Sequence, residues 1–256
     1  MRGFLGDVAS VAGRALRSIP RDPEVIIPAL IIPVFFFWVN VGALSKLTGG
    51  SAPAGDFDYR AFQIPTSILF AVTGISRANT VVTDIQTGYL DRLLMTPVRR
   101  SALLLGMFVA DFVLVIALTI PVLVMGAITG VGFETGFGGL VVFVLIAGLW
   151  GLVFAGFPYA IALKTGNPAA VNTSFVIFFP FMFLTSAFVP QEALSGWLSG
   201  AADANPVTYL LDALRALLMD GWDGAALGKG LAALAGVGVV TMSLAFLALR
   251  SRVKRS

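Results

Sequence analysis

TDIQTGYLDRLLMTPVRR, residues 83–100, is a short charged segment set between two long apolar runs. Leu90, Leu93 and Leu94 stand at i, i+3 and i+4, the spacing of one helical face. Thr96 and Pro97 stop the helix, because proline has no N–H to donate and its ring clashes with the preceding turn. A helix of about three turns at a membrane surface, with leucines along one face, has little to bury them against unless another protein supplies a groove. The segment is therefore a candidate docking element.

The rest of the chain places that element at a membrane. Of 256 residues, 57% are hydrophobic and only 12% are charged. A soluble domain carries roughly 25% charged residues, so this chain lacks the polar surface to cover a water-soluble globule. Runs of about 20 apolar residues recur, each long enough to cross a hydrocarbon core roughly 30 Å thick. The fold class is an all-α integral membrane protein. With no cysteine and no histidine, disulfides, thiol catalysis and thiolate metal sites are excluded, and the usual neutral-pH acid–base group and commonest metal ligand are missing. No catalytic residue and no metal site is expected.

Six spans can be read: Val25–Leu44, Ala61–Val82, Ala102–Ile128, Leu140–Leu163, Ala169–Val189 and Leu231–Leu249. Arg2, Arg14, Arg17 and Arg21 precede the first. Arg92, Arg99 and Arg100 lie between the second and third, Lys164 between the fourth and fifth, and Arg250, Arg252, Lys254 and Arg255 after the sixth. The alternate loops hold only Lys46, Arg60, Arg215 and Lys229 among eight acids. The positive-inside bias puts both termini and the 84–100 loop in the cytoplasm. The first run exceeds the roughly 7–15 apolar residues of a signal-peptide core, so it reads as a retained span.

Residues 1–23 are patterned as an amphipathic interfacial helix. Phe4, Leu5, Val8, Val11, Ala12, Ala15, Leu16 and Ile19 fall on one face, with Arg14 and Arg17 elsewhere. Pro20 and Pro23 end it and turn the chain into the bilayer. Such a helix anchors the chain and can brace the docking surface.

The second span is unusually polar, with Gln63, Thr66, Ser67, Thr73, Ser76, Arg77, Asn79 and Thr80, groups that avoid lipid and face a bundle interior or a wet cavity. Arg77 and, in the third span, Asp111 are the clear ionisable residues inside the expected helices. Each costs about 2.5–3.5 kcal/mol near the bilayer centre, so pairing across the two spans is the economical arrangement. In the fourth span Ala147, Gly151 and Ala155 permit close helix approach. The fifth carries Phe175, Phe178 and Phe179 in an aromatic stripe that packs, or in part lines a path for a hydrophobic cargo together with Thr66 and Thr73.

Between the fifth and sixth spans, residues 190–229 contain a second helix signal. Asn205 caps and Pro206 fits the first helical position. Leu210, Leu211, Leu214, Leu217 and Leu218 form an apolar face, and Tyr209, Asp212 and Arg215 step along another, where Asp212 and Arg215 can bridge at i, i+3. About a dozen residues is too short to span, so this is an external re-entrant helix, preceded by a shorter one near Trp197.

Two stretches, TGYLDRLLMTPVRR from Thr87 and FLTSAFVPQEALSGWLSGAADANPVTYLLDALRALL from Phe183, resemble the hallmark regions of type-2 ABC exporter permeases, most of all the daunorubicin/doxorubicin-resistance type. The resemblance extends over nearly the whole chain, from the basic leader ending in Arg21-Asp22-Pro23 to the basic tail. It implies a single permease domain over 1–256. Two such subunits, most simply a homodimer, would form the pathway above two copies of a separate ABC ATPase. By that resemblance Gly88, Tyr89, Leu90, Asp91, Arg92, Leu93, Leu94 and Pro97 belong to the coupling helix, and Asn205, Pro206, Tyr209, Asp212 and Arg215 to a lid over the exit. It further implies a bacterial plasma-membrane exporter of amphipathic drugs or lipid-like molecules, with lipids around it and no nucleic-acid partner.

The chain has no GxxxxGK[ST] phosphate loop, so it is not expected to be an ATPase or to bind a cofactor; ATP and Mg would sit on the partner. Four alternatives compete. A lipid or glycan exporter would share the architecture. An ion-coupled secondary transporter would need titratable groups near the midplane and often repeated halves. A membrane enzyme would need clustered carboxylates or a serine with its base. A scaffold would need only the docking helix.

Overall fold

The computed structural model describes residues 3–19, 23–49, 57–73, 76–96 and 99–254, and among them the chain is helical with no β-strand. Helix α1 is Phe4–Ser18, α2 Pro23–Gly49, α3 Tyr59–Thr73, α4 Ala78–Gln86 and α5 Tyr89–Leu94. They are followed by α6 Arg100–Ile128, α7 Gly136–Thr165, α8 Pro168–Phe183, α9 Trp197–Ala204, α10 Pro206–Arg215 and α11 Gly224–Val253. Helices α6, α7 and α11 are each long and apolar enough to cross a membrane. Pro20, Arg21 and Pro97, given boundary or coupling roles from the sequence, lie outside the described residues.

Two of the expected spans are corrected. The second is not one helix: it is interrupted between Thr73 and Ala78, so Arg77 precedes a new helix instead of sitting inside one. The fifth stops at Phe183, six residues before the expected Val189. Pro180 removes one of its helical hydrogen bonds, and beyond it the Thr185 hydroxyl bonds the Met182 carbonyl and accepts from the Ala187 N–H, replacing helical bonds with a local turn.

The bundle holds two apolar clusters. One joins Ile68 of α3, Val115 of α6, Phe143 and Trp150 of α7, Met182 of α8 and Leu211 of α10. The other, toward the opposite end, joins Val82 of α4, Leu90 of α5, Leu104 and Phe108 of α6, Tyr159 of α7 and Leu249 of α11. The polar second run behaves as its composition requires: Gln63, Thr66, Ser67, Thr73 and Arg77 are all buried.

Small residues set the helix spacing. Gly151 meets Val115 of α6 and Val72 of α3, and a Cβ there would lie 2.4 Å from Val115 Cγ2. Further along α7, Gly156 lies against the backbone of Thr241 on α11, whose hydroxyl donates to the Val153 carbonyl at 2.6 Å. A Cβ on Gly156 would approach the Thr241 carbonyl to 2.8 Å, and backbone cannot swing aside as a side chain can.

Gly156→Ala should therefore destabilise the detergent-solubilised protein by about 1–3 kcal/mol, whereas Gly200→Ala, with open space around it, should not. Thermal melting followed by tryptophan fluorescence decides; equal midpoints for the two variants would contradict the close α7–α11 contact.

Candidate functional site

The two sets of loops separate to opposite ends of the bundle. At one end the chain between α8 and α9 has left the helix, and its carbonyls need donors. Asn205, which caps α10 by accepting the Val207 N–H at 3.0 Å, also donates to the carbonyls of Phe181 at 2.7 Å and Leu184 at 2.9 Å. Arg215, at the far end of α10, reaches the same unwound strand. Its Nη2 donates to the Ser186 carbonyl at 2.8 Å and is shared with Ala187 O at 3.3 Å and Thr66 Oγ1 at 3.2 Å. Its Nη1 donates to Ser186 Oγ at 3.0 Å and its Nε to Phe62 O at 3.3 Å. Thr66 in turn donates to Ala187 O, and Tyr59 OH donates to Phe188 O at 2.9 Å.

Arg215 is thus a hub, not one residue of a polar outer face. It is buried, with the Phe62 ring 3.5 Å beneath its guanidinium. The expected Asp212–Arg215 bridge is present at 3.7 Å, with the Asp212 side chain 39% exposed and so screened by solvent. Helix α10 is also set deeper than a surface lid, because Leu210, Leu211, Leu214 and Leu217 join the main core. Tyr209 stays at the surface side and donates to the Asp203 carbonyl. After Arg215 the chain makes one wide turn, Ala216–Asp220, closed by the Gly221 N–H on the Ala216 carbonyl. Its Leu217 carbonyl accepts from the Thr135 hydroxyl at 2.7 Å, tying the turn to the α6–α7 loop.

At the other end lies the segment singled out first. Gly88 adopts a left-handed φ of 67° that lets α5 start immediately after α4. Helix α5 has six residues, fewer than the three turns expected. Its leucines are also turned the other way. Leu90 is 3% exposed in the core, and Leu93 and Leu94 are half-buried against the same cluster. The outward face is Tyr89, Arg92 and Met95, the last 80% exposed. Asp91 is half-buried beside them.

Helix α1 braces this end. Arg14 forms an ion pair with Asp84 at 3.0 Å, and its guanidinium lies 4.6 Å over the Tyr89 ring. Val11, Ala12 and Ala15 are buried, although Leu5 of the same apolar face remains exposed. Gln86 donates to the carbonyl of Gly166, the left-handed residue that ends α7. The α4–α5 corner is held by both α1 and α7.

Arg77 and Asp111 lie close enough for their charges to attract and for the Arg77 backbone to hydrogen-bond the Asp111 carboxyl, but their side chains form no direct ion pair. Arg77 donates instead to the Ser18 hydroxyl at the end of α1, and Asp111 Oδ2 accepts the Tyr159 hydroxyl at 2.7 Å. The interruption before α4 is the physical reason, since it turns Arg77 toward α1. Of the five residues proposed to line a path, Thr66 and Thr73 are spent inside the bundle, Thr73 accepting the Trp150 indole N–H. Phe175 packs on Phe154 and Phe179 is half exposed. Phe178 alone of the five borders an apolar groove of about 230 Å³, between α7, α8, α10 and α11, with Trp150, Phe154, Val207 and Thr241. Among the described residues no cluster of acids could hold a metal ion.

Residues 7–219 match the family model described as ABC-2 type transporter. The daunorubicin resistance ABC transporter permease protein DrrB1 of Streptomyces coeruleorubidus is 25% identical over 208 residues, 80% of this chain and 72% of that one. The probable doxorubicin resistance ABC transporter permease protein DrrC of Mycobacterium tuberculosis is 24% identical over 223 residues, 86% of this chain and 79% of the relative. A putative transport permease of Cyanophora paradoxa is 23% identical over 84% of this chain and 74% of its own length.

Arg215→Lys should cost several kcal/mol, since a single ammonium cannot serve the acceptors of a fork and each buried carbonyl left bare costs roughly 1–3 kcal/mol. Asp212→Asn should cost less than about 1 kcal/mol. The yield of monodisperse protein and its melting midpoint measure both; an Asp212→Asn loss equal to that of Arg215→Lys would reject the hub.

Proposed function

This chain belongs to the ABC-2 type transporter family, and we propose that it is the permease subunit through which an ATP-driven exporter moves an amphipathic drug or lipid-like molecule out of the cell. It is a multi-pass membrane protein. In this reading α2, α3 with α4, α6, α7, α8 and α11 make six crossings of a bacterial plasma membrane. Both termini and the α4–α5 corner lie in the cytoplasm, where the basic loops belong. Helix α1 is the interfacial elbow, and α9 and α10 are the external re-entrant pair. Two copies of the chain form the pathway, and two copies of a separate ABC ATPase, carrying ATP and Mg, dock beneath.

The observation that carries this reading is the divided second span. Its outer half, α3, is held to the Arg215 network through Phe62 and Thr66, whereas α4 and α5 are held to α1 and α7. A push on α5 is delivered to α4 and α1 as one unit, and the interruption between Thr73 and Ala78 lets that unit pivot against the outer half. The docking surface consists of Tyr89, Arg92 and Met95 instead of the leucines. Resistance to daunorubicin and doxorubicin belongs to the relatives' names, and the apolar, aromatic groove beside Phe178 fits cargo of that amphipathic kind better than a sugar polymer.

The test is co-expression with the ATPase encoded beside this gene, reconstitution into liposomes, and measurement of ATP-driven movement of a fluorescent amphipathic drug. Arg92→Glu with Met95→Asp should leave the permease folded and reduce cargo-stimulated ATP hydrolysis by about tenfold or more. Leu90→Asp should instead abolish the folded protein, because it buries a charge. Unchanged coupling in the Arg92/Met95 variant would contradict the docking face. Transport driven by a proton gradient without ATPase would replace this reading with ion coupling through the buried Asp111.

A further inference from the structure

A second cavity lies further along α11 than the Phe178 groove, between the end of α11 and the start of α6. It encloses about 650 Å³ and is bordered by Arg100, Ser101, Phe246, Leu247, Arg250 and Lys254, among others. Among the described residues the side chains of Arg100, Arg250 and Lys254 make no ion pair and no hydrogen bond, in contrast to Arg14, Arg77 and Arg99, which are engaged by Asp84, Ser18 and the Phe4 ring. Three unspent cations around one hollow make a site for a negatively charged group. Ser101 adds a hydroxyl, and α6 begins here, so its first N–H groups and the positive end of its dipole add to the field.

The opposite wall is apolar. Phe246 and Leu247 continue into an outward stripe of α11, with Val240, Leu244 and Leu247 at i, i+4 and i+7 and exposed by 59%, 43% and 58%. Helix α11 is also the least covered of the three long apolar helices, with 28% of its apolar window buried against 61% and 56% for α6 and α7. A free phosphate or an acidic protein would have no use for that stripe; an acyl chain would.

We propose that this hollow binds an anionic phospholipid of the inner leaflet, its phosphate held by Arg100, Arg250 and Lys254 and an acyl chain laid along α11. The proposal takes from the function proposed above only the orientation of the membrane, not export, so the two fail independently. A lipid held there bridges α6, which follows the α4–α5 corner in the chain, to α11, which packs on α7. Anionic lipid would thereby set how freely the cytoplasmic ends of these helices part.

The test uses the purified full-length chain in detergent, titrated with phosphatidylglycerol, with phosphatidylcholine of the same acyl chains, and with inorganic phosphate, and read by native mass spectrometry. Phosphatidylglycerol should bind at least about tenfold more tightly than phosphatidylcholine. Replacing Arg100, Arg250 and Lys254 together by Gln should weaken it on the order of 100-fold, with elution volume and melting midpoint unchanged. Should the triple variant fail to fold, Arg250→Gln alone reads the same effect as a loss of about fivefold. Equal affinity for the two lipids, or a triple variant that keeps the preference, overturns the proposal. So does displacement of phosphatidylglycerol by phosphate at the lipid's own concentration, which assigns a free-anion site. Loss of the ATPase from the triple variant with lipid preference intact assigns the cations to that protein and overturns it equally.

Discussion

A helix that ends inside a packed bundle leaves carbonyls that need donors, and one end of this protein is organised around supplying them. Helix α8 stops at Phe183, and the carbonyls of Phe181, Leu184, Ser186, Ala187 and Phe188 accept from Asn205, Arg215, Thr66 and Tyr59. Burying a guanidinium carries a desolvation penalty of several kcal/mol, and it is tolerated because this fork is almost fully occupied by acceptors and rests on an aromatic face. The same constraint explains why α10 is short and deep. It has to bring Asn205 and Arg215, ten residues apart, to the same unwound strand while its leucines seal the core around them.

The network has a consequence for α3. Phe62 and Thr66 are both bonded to Arg215, so α3 is fixed to α10 and to the end of α8. Helix α4 belongs to a different unit, held by the Arg14–Asp84 pair, the stacking of Arg14 on Tyr89 and the Gln86–Gly166 bond. Two buried polar groups of α3, the Gln63 amide and the Ser67 hydroxyl, have no hydrogen-bond partner among the described residues. Such groups cost roughly 1–3 kcal/mol each.

Much of this was legible in the sequence, and the misses share one cause. Apolar runs located the helices, Asn205-Pro206 located the start of α10, and the polar residues of the second run were rightly placed inside the bundle. Periodicity gives the apolar face of a helix but not what that face meets. The leucines of α5 were assigned to a partner protein when the ends of α6 and α11 already cover them. Arg215 was placed on a face with Tyr209 and Asp212 and paired with Asp212, and nothing local shows that an unwound strand 29 positions earlier needs its hydrogens. Charge counting brought Arg77 and Asp111 into one neighbourhood, where their charges attract, but could not see that Ser18 and Tyr159 take the direct side-chain hydrogen bonds. The Thr185-Ser186 pair following Pro180 was the available signal that the fifth span ends early.

The proposed function requires that the outward face of α5 and the turn after the Arg215 hub lie on opposite sides of the membrane, and that an ATPase covers the former. The chain has no cysteine, so a single one can be placed at will. Met95→Cys and Trp222→Cys, both at exposed positions, should be labelled by an impermeant maleimide from opposite sides of sealed vesicles, Met95→Cys only in inside-out ones. Adding the ATPase should then protect Met95→Cys alone. Labelling of both from the same side, or no protection at Met95→Cys, would contradict the account.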